Sequence, residues 1–201
     1  GDALLDADYN TAVGAGALSA DTLGSKSTAL GRNSLTTQNF TTATDAYNVA
    51  VGYNAGSSVT TAINSTLIGA AAGAAVTSGA SNTLVGYLSG FALSTGNSNT
   101  VLGYSALTAD TLGDRNVAVG MQALAAQNFT TTTDSYNTAV GYDAGNDVST
   151  GIANTLIGAL AGDALTDADY NIGIGKNALG ADTLGSKSVA IGTFALETQN
   201  F

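Results

Sequence analysis

The chain has 201 residues, 26 Gly, no Pro, Cys, His or Trp, and a formal net charge of −10. Five basic residues, Lys26, Arg32, Arg115, Lys176 and Lys187, cannot line a nucleic-acid groove, and the charge opposes docking on anionic membrane. Without Cys or His there is no disulfide framework, no imidazole base for a serine nucleophile, and little soft metal chemistry.

Gly1–Tyr9 reads as a connecting loop, and it recurs almost letter for letter at Gly162–Tyr170. It shows no basic region or apolar stretch of a signal peptide, and no run approaches the roughly 20 residues of a membrane span. The next segment, Asn10-Thr11-Ala12-Val13-Gly14, is the first of eleven relatives. They begin at Asn10, Ser27, Asn48, Ser65, Asn82, Asn99, Asn116, Asn137, Asn154, Asn171 and Ser188, spaced by 17 residues or, twice, by 21. The first position is Asn or Ser, the fourth Val, Leu or Ile, the fifth Gly; an Ala or Ser follows three later, then Leu or Gly. A period of this length with short apolar segments predicts a solenoid whose repeats stack on their neighbours.

Each repeat carries one short strand. β-Branched residues fall two apart, as at Val49 and Val51 or Ile172 and Ile174, and the residue between them is apolar as well. Both faces of such a strand need cover. The Gly, Thr and Asn content opposes a helix. The expected fold is therefore all-β: a parallel β-solenoid of about eleven coils, filling residues 1–201 as one array that begins and ends part-way through a repeat. The longer spacings place the polar loops Thr36–Tyr47 and Ala125–Tyr136, with Phe40 and Phe129 tucking them back. Both follow an Ala-Asp-Thr-Leu-Gly loop, at Ala20–Gly24 and Ala109–Gly113, and a third such loop stands at Ala181–Gly185.

The recurrent glycines, Gly14, Gly31, Gly52, Gly69, Gly86, Gly103, Gly120, Gly141, Gly158, Gly175 and Gly192, are expected at turns with positive φ or close backbone approach. The Ala/Ser column from Ala17 to Ala195 predicts a tight inner corner, and the Asn/Ser column predicts backbone-bonding ladders. Tyr53, Tyr87, Tyr104 and Tyr142 follow the turn Gly and are candidate ligand contacts, as a stripe on which a sugar could stack; loop packing is the plainer alternative. Asp6 with Asp8, and Asp167 with Asp169, are the candidates for hard-cation ligands, against a plain role as turn residues. Asp6 and Asp8 have no apolar pocket around them in sequence to raise a carboxyl for glycoside cleavage, and Asp143 and Asp147 are the residues a polysaccharide-degrading alternative would draw on; the chain reads as no enzyme, with no cofactor. A Thr column, Thr11 to Thr155, suggests an ice or crystal surface, but Val49, Val117, Ile172 and Val189 break it.

The Asn-Thr-Ala-Val-Gly-x-x-Ala-Leu of Asn10–Leu18 and the Asn-Val-Ala-Val-Gly-Tyr-Asn-Ala-Gly of Asn48–Gly56 resemble head repeats of trimeric autotransporter adhesins. They are more similar still to repeats of bacterial and phage tail-fibre-domain proteins. The resemblance implies a left-handed parallel β-roll, three chains around one axis, displayed outside a cell or virion, with a host-surface glycan or protein as target. It implies inward core positions at Val13, Leu30, Val51, Ile68, Val85, Leu102, Val119, Val140, Ile157, Ile174 and Ile191. The period of 17 or 21 and the lack of a neck motif or coiled-coil heptads depart from the adhesin pattern. The function expected is a structural fibre segment supporting surface attachment; the alternatives are a polysaccharide-degrading spike or a plain spacer.

Overall fold

A computed structural model describes Gly1–Phe201 throughout. Eleven three-residue strands form one parallel sheet. In chain order they are β1 Thr11–Val13, β3 Thr28–Leu30, β5 Val49–Val51, β6 Thr66–Ile68, β7 Thr83–Val85, β8 Thr100–Leu102, β10 Val117–Val119, β12 Thr138–Val140, β13 Thr155–Ile157, β14 Ile172–Ile174 and β15 Val189–Ile191. Each pairs only with the strands before and after it, so the sheet is a stack of coils. Register is exact: Thr66, Leu67 and Ile68 face Thr83, Leu84 and Val85, and every other pair follows suit. Four two-residue strands lie outside the main sheet: β2 Gly24–Ser25 with β4 Thr44–Asp45, and β9 Gly113–Asp114 with β11 Thr133–Asp134. They mark the two long coils, where the four extra residues are absorbed.

Forty-four residues have positive φ, four in each coil. One is the motif Gly. The others precede the ladder Asn/Ser, or lie two and four residues after that Gly, and they include Leu, Ala, Tyr and Lys. Left-handed backbone costs an L-residue roughly 1–2 kcal/mol. It persists here because each coil is clamped above and below. Thr66 N–H donates to Asn82 C=O at 2.8 Å and Gly69 N–H to Val51 C=O at 2.8 Å, and equivalent bonds recur up the stack. Gly86 shows why the motif residue cannot vary. Its φ is +132°, and a Cβ there would stand 2.4 Å from the carbonyl oxygen of Gly103.

The interior holds about one large side chain per coil. The middle strand residue and the residue four after the Gly share this space. Where the strand supplies Leu67, Leu84 or Leu156, the partner position is Gly73, Gly90 or Gly162. Where the strand supplies Ala29 or Ala118, the partner is the fully buried Leu35 or Leu124. In these coils the Leu-or-Gly alternation is volume compensation in a close-packed interior; with Ala50 and Gly56, or Ala139 and Gly145, both positions are small, and Leu67 or Leu156 of the next coil lies against the Gly instead. The Ala/Ser corner is buried from Ala17 to Ala178, as its small size requires.

The positions expected as core, Val13, Leu30, Val51, Ile68, Val85, Leu102, Val119, Val140, Ile157, Ile174 and Ile191, do not point into the coil. They lie on the outer face of the sheet, half-buried to exposed, with Val13 at 55% and Ile191 at 67%. The correction follows from strand alternation: one residue of three points in, and it is the middle one. The interior is lined by Ala29, Ala50, Leu67, Leu84, Val101, Ala118, Ala139, Leu156 and Ala190 instead.

Candidate functional site

The outer sheet face is an apolar surface that runs the length of the stack. It consists of two columns, Thr or β-branched residues at the first strand position and Val, Leu or Ile at the third. Thr11, Thr83 and Thr100 are exposed, whereas Thr28, Thr66, Thr138 and Thr155 are half-buried. Eleven coils at about 4.8 Å make a ribbon about 50 Å long. Val13, Leu30, Ile68, Leu102, Ile157, Ile172, Val189 and Ile191 on it are all more than a third exposed, whereas soluble monomers ordinarily keep contiguous apolar patches to a few hundred Å².

Behind the face runs a polar spine. Asn48, Asn82, Asn99, Asn116, Asn137, Asn154 and Asn171 are fully buried. Asn99 donates through Nδ2 to Gly113 C=O at 2.9 Å, and its Oδ1 accepts from Asn116 N–H at 2.9 Å. Each amide satisfies its own coil and the next, so these residues are structural.

A third column carries apolar Val59, Val76, Leu93, Val148 and Leu165, all buried. It is interrupted at the long coils by buried Asp21 with Gln38 and Asp110 with Gln127, and again by Asp182 with Gln199. Gln127 Nε2 donates to Asp110 Oδ2 at 2.6 Å, and Gln127 Oε1 accepts from Asn137 Nδ2 at 2.8 Å. Burial raises the Asp110 carboxyl above its ordinary range, against hydrogen bonds from Gln127 and from the backbone of Gly113, Phe129 and Leu112.

Over each pair sits a ledge. Phe40 and Phe129 are buried beneath the long loops, while Thr41, Thr42, Thr130 and Thr131 are exposed. At its edge Lys26 Nζ lies 2.5 Å from Asp45 Oδ2 and 5.1 Å from the centre of the Tyr47 ring. The hydrogen bond from Lys26 lowers the Asp45 carboxyl, and the same bond raises the Lys26 ammonium. Arg115, Asp134 and Tyr136 repeat the arrangement on the second ledge. With Arg32 over Tyr53 and Lys176 over Phe194, four of the five basic side chains lie over the ring of a neighbouring coil.

Tyr53, Tyr87, Tyr104 and Tyr142 share one column and are about half exposed. The Tyr87 and Tyr104 rings stack at 5.6 Å with 26° between planes. They therefore cover each other's faces, and Arg32 covers Tyr53 at 5.7 Å. Sugar stacking needs an open ring face, and these contacts occupy one face on each of those three rings.

Asp143 and Asp147 meet in a shallow polar concavity of about 220 Å³, with Gln122, Asn146, Leu160 and Asp163. Asp163 was not legible as a partner: it stands one coil on, at the loop position matching Asn146. Burial raises its carboxyl, helped by the nearby Asp147 and Asp143 charges. Its Oδ1 is buried without a hydrogen-bond partner. The hollow has one apolar lining residue.

Asp6 and Asp8 are exposed on the first loop. Asp167 Oδ1 accepts from Thr150 Oγ1 at 2.6 Å, and Asp169 Oδ1 accepts from Ile152 N–H at 2.8 Å. These last two carboxylates tie neighbouring coils together. No group of three or more acidic side chains is gathered so that it could hold a metal ion.

No protein-family description, curated protein or solved structure matches the chain. No helix is long and apolar enough to cross a membrane. The architecture is that of a fibrous, structural repeat protein: a parallel β-solenoid of eleven coils.

Proposed function

We propose that the chain is a structural segment of a homotrimeric fibre, an extracellular adhesin or tail fibre, whose outer sheet faces pack against those of two further copies. The observation that carries this is the open ribbon of Val13, Leu30, Val51 and their eight successors. It runs unbroken along all eleven coils, about 50 Å, and stable interfaces need such contiguous surface, ~800 Å² per partner. An aliphatic residue at every third strand position has no role inside the coil, so burial between copies accounts for its recurrence. The left-handed coil, the trimer and the external setting come from the resemblance of Asn10–Leu18 and Asn48–Gly56 to adhesin and tail-fibre repeats. Attachment falls to the two ledges, the places where the coil departs from its regular cross-section.

Light scattering across micromolar concentrations tests the assembly. The expected species has three times the chain mass, and Ile68→Asp with Leu102→Asp converts it to a monomer with unchanged circular dichroism. A wild-type chain that stays monomeric throughout overturns the proposal. A polysaccharide-cleaving role would draw on Asp143, Asp147 and Asp163; release of reducing ends, lost in Asp147→Asn, would favour it over the fibre.

A further inference from the structure

We propose that Asn39 and Asn128 are acceptor sites for N-linked glycosylation, which would place one sugar on each ledge. Three stretches fit the Asn-x-Ser/Thr acceptor pattern: Asn39-Phe40-Thr41, Asn64-Ser65-Thr66 and Asn128-Phe129-Thr130. The structure divides them. Asn39 and Asn128 are exposed, as are Thr41 and Thr130. Asn64 is exposed too, but Ser65 is 1% exposed, and Thr66, whose hydroxyl a transferase must engage, is half-buried and held in the main sheet by its N–H bond to Asn82 C=O.

The short coils explain what is unusual about the first pair. At the matching position they carry Ser or Thr, whose hydroxyl bonds the next coil: Thr60 Oγ1 to Thr77 C=O at 3.1 Å, Thr77 Oγ1 to Ser94 C=O at 3.1 Å. In the long coils this position is Asn. Only its carbonyl half joins the column, as Asn39 Oδ1 accepts from Thr22 Oγ1 at 2.9 Å and Asn128 Oδ1 from Thr111 Oγ1 at 3.0 Å. The amide Nδ2 of each makes no hydrogen bond within the chain. Both sites thus present a fixed carbonyl and a free amide nitrogen to solvent. The buried Phe between Asn and Thr pins the loop, and the hydroxyl two residues on is left open for the transferring enzyme to engage.

The chemistry is a group transfer. The bond formed joins Asn Nδ2 to the anomeric carbon of a sugar. The bond broken joins that carbon to the phosphate oxygen of an activated donor, a nucleotide- or lipid-linked sugar phosphate. The phosphate leaves with its electron pair, and one Nδ2 proton passes to a base of the transferase.

The test incubates the folded chain with UDP-glucose and a soluble N-glycosyltransferase that reads Asn-x-Thr, followed by peptide mapping by mass spectrometry. A parallel arm secretes the chain through a pathway that uses a lipid-linked oligosaccharide. The expected result is one glycan each on the peptides carrying Asn39 and Asn128, with none on Asn64, in at least one arm. Thr41→Ala removes the adduct at Asn39 and leaves that at Asn128, with the circular dichroism of the parent. Absence of adduct at both positions in both arms, or equal modification of Asn64 in the folded chain, overturns the proposal. Neither result depends on the number of chains in the fibre.

Discussion

Gly86→Ala adds a single methyl group, and its cost can be separated into two parts. The first is conformational: φ at Gly86 is +132°, a region L-residues rarely adopt. Holding Ala there costs about 1–3 kcal/mol. The second is steric. The new Cβ would meet the Gly103 carbonyl oxygen at 2.4 Å and its carbon at 2.8 Å, both backbone atoms of the next coil. Ordinary contact needs a separation of about 3.4 Å or more, so the coils must part by up to an ångström. Gly86 N–H to Ile68 C=O at 2.7 Å and Gly103 N–H to Val85 C=O at 2.9 Å lie at this junction. Weakening both costs a further ~1–3 kcal/mol. The total is about 2–6 kcal/mol. Gly192→Ala supplies the control, because Gly192 has φ +130° but no atom within 4 Å of a Cβ. It should cost the first part alone. Urea unfolding measures the totals, and amide exchange along the stack locates them. The reasoning fails if Gly86→Ala stays within about 0.5 kcal/mol of the parent, since ordinary surface changes do no more. It also fails if the two variants are equally destabilised.

Gln127→Leu leaves the buried Asp110 Oδ2 without its 2.6 Å donor, and should cost about 2–3 kcal/mol in urea unfolding. Adding Asp110→Val extends the apolar column of Leu93 and Val148 and should recover most of that loss; a double variant no better than the single one refutes the account. The pH dependence has a definite sign. Burial holds the Asp110 carboxyl above its ordinary 3.8, so its contribution to stability is full below that value and is lost as pH rises through the folded one. The stability of Asp110→Asn relative to the parent should therefore rise across that interval, and a difference independent of pH would count against it.

The coil count, the strands and the turn glycines were legible because each is a column property. A feature repeated in every coil announces itself as a period, and stacking in register converts period directly into structure. What escaped was everything set by the cross-section of one coil. The sequence places β-branched Thr66 and Ile68 on one face and apolar Leu67 on the other, and periodicity alone does not say which face is the interior. The answer lies in Gly73, whose missing side chain makes room for Leu67. Left-handed backbone at Leu88, Ser105 and Lys26 escaped for a related reason: those residues have no local preference for it, and the bonds of two neighbouring coils impose it. Asp163 joined Asp143 and Asp147 only through the 17-residue offset between adjacent coils.

The same distinction bears on function. A residue repeated at every coil serves the stack, so the ladder asparagines and turn glycines carry no information about a target. Departures from the column are informative. Two of the three Asp–Gln pairs replace apolar residues where a long coil begins, and Asn39 and Asn128 replace Ser or Thr there; Asp182 with Gln199, and Asn200, repeat the pattern in the last coils. Each ledge therefore has its own foundation in the interior and its own chemistry at the surface. A plain spacer would need neither. The coincidence of buried pair, anchoring Phe, ion pair and free amide at both long coils supports the proposal that attachment falls to the ledges, as the open aliphatic ribbon supports the proposed assembly.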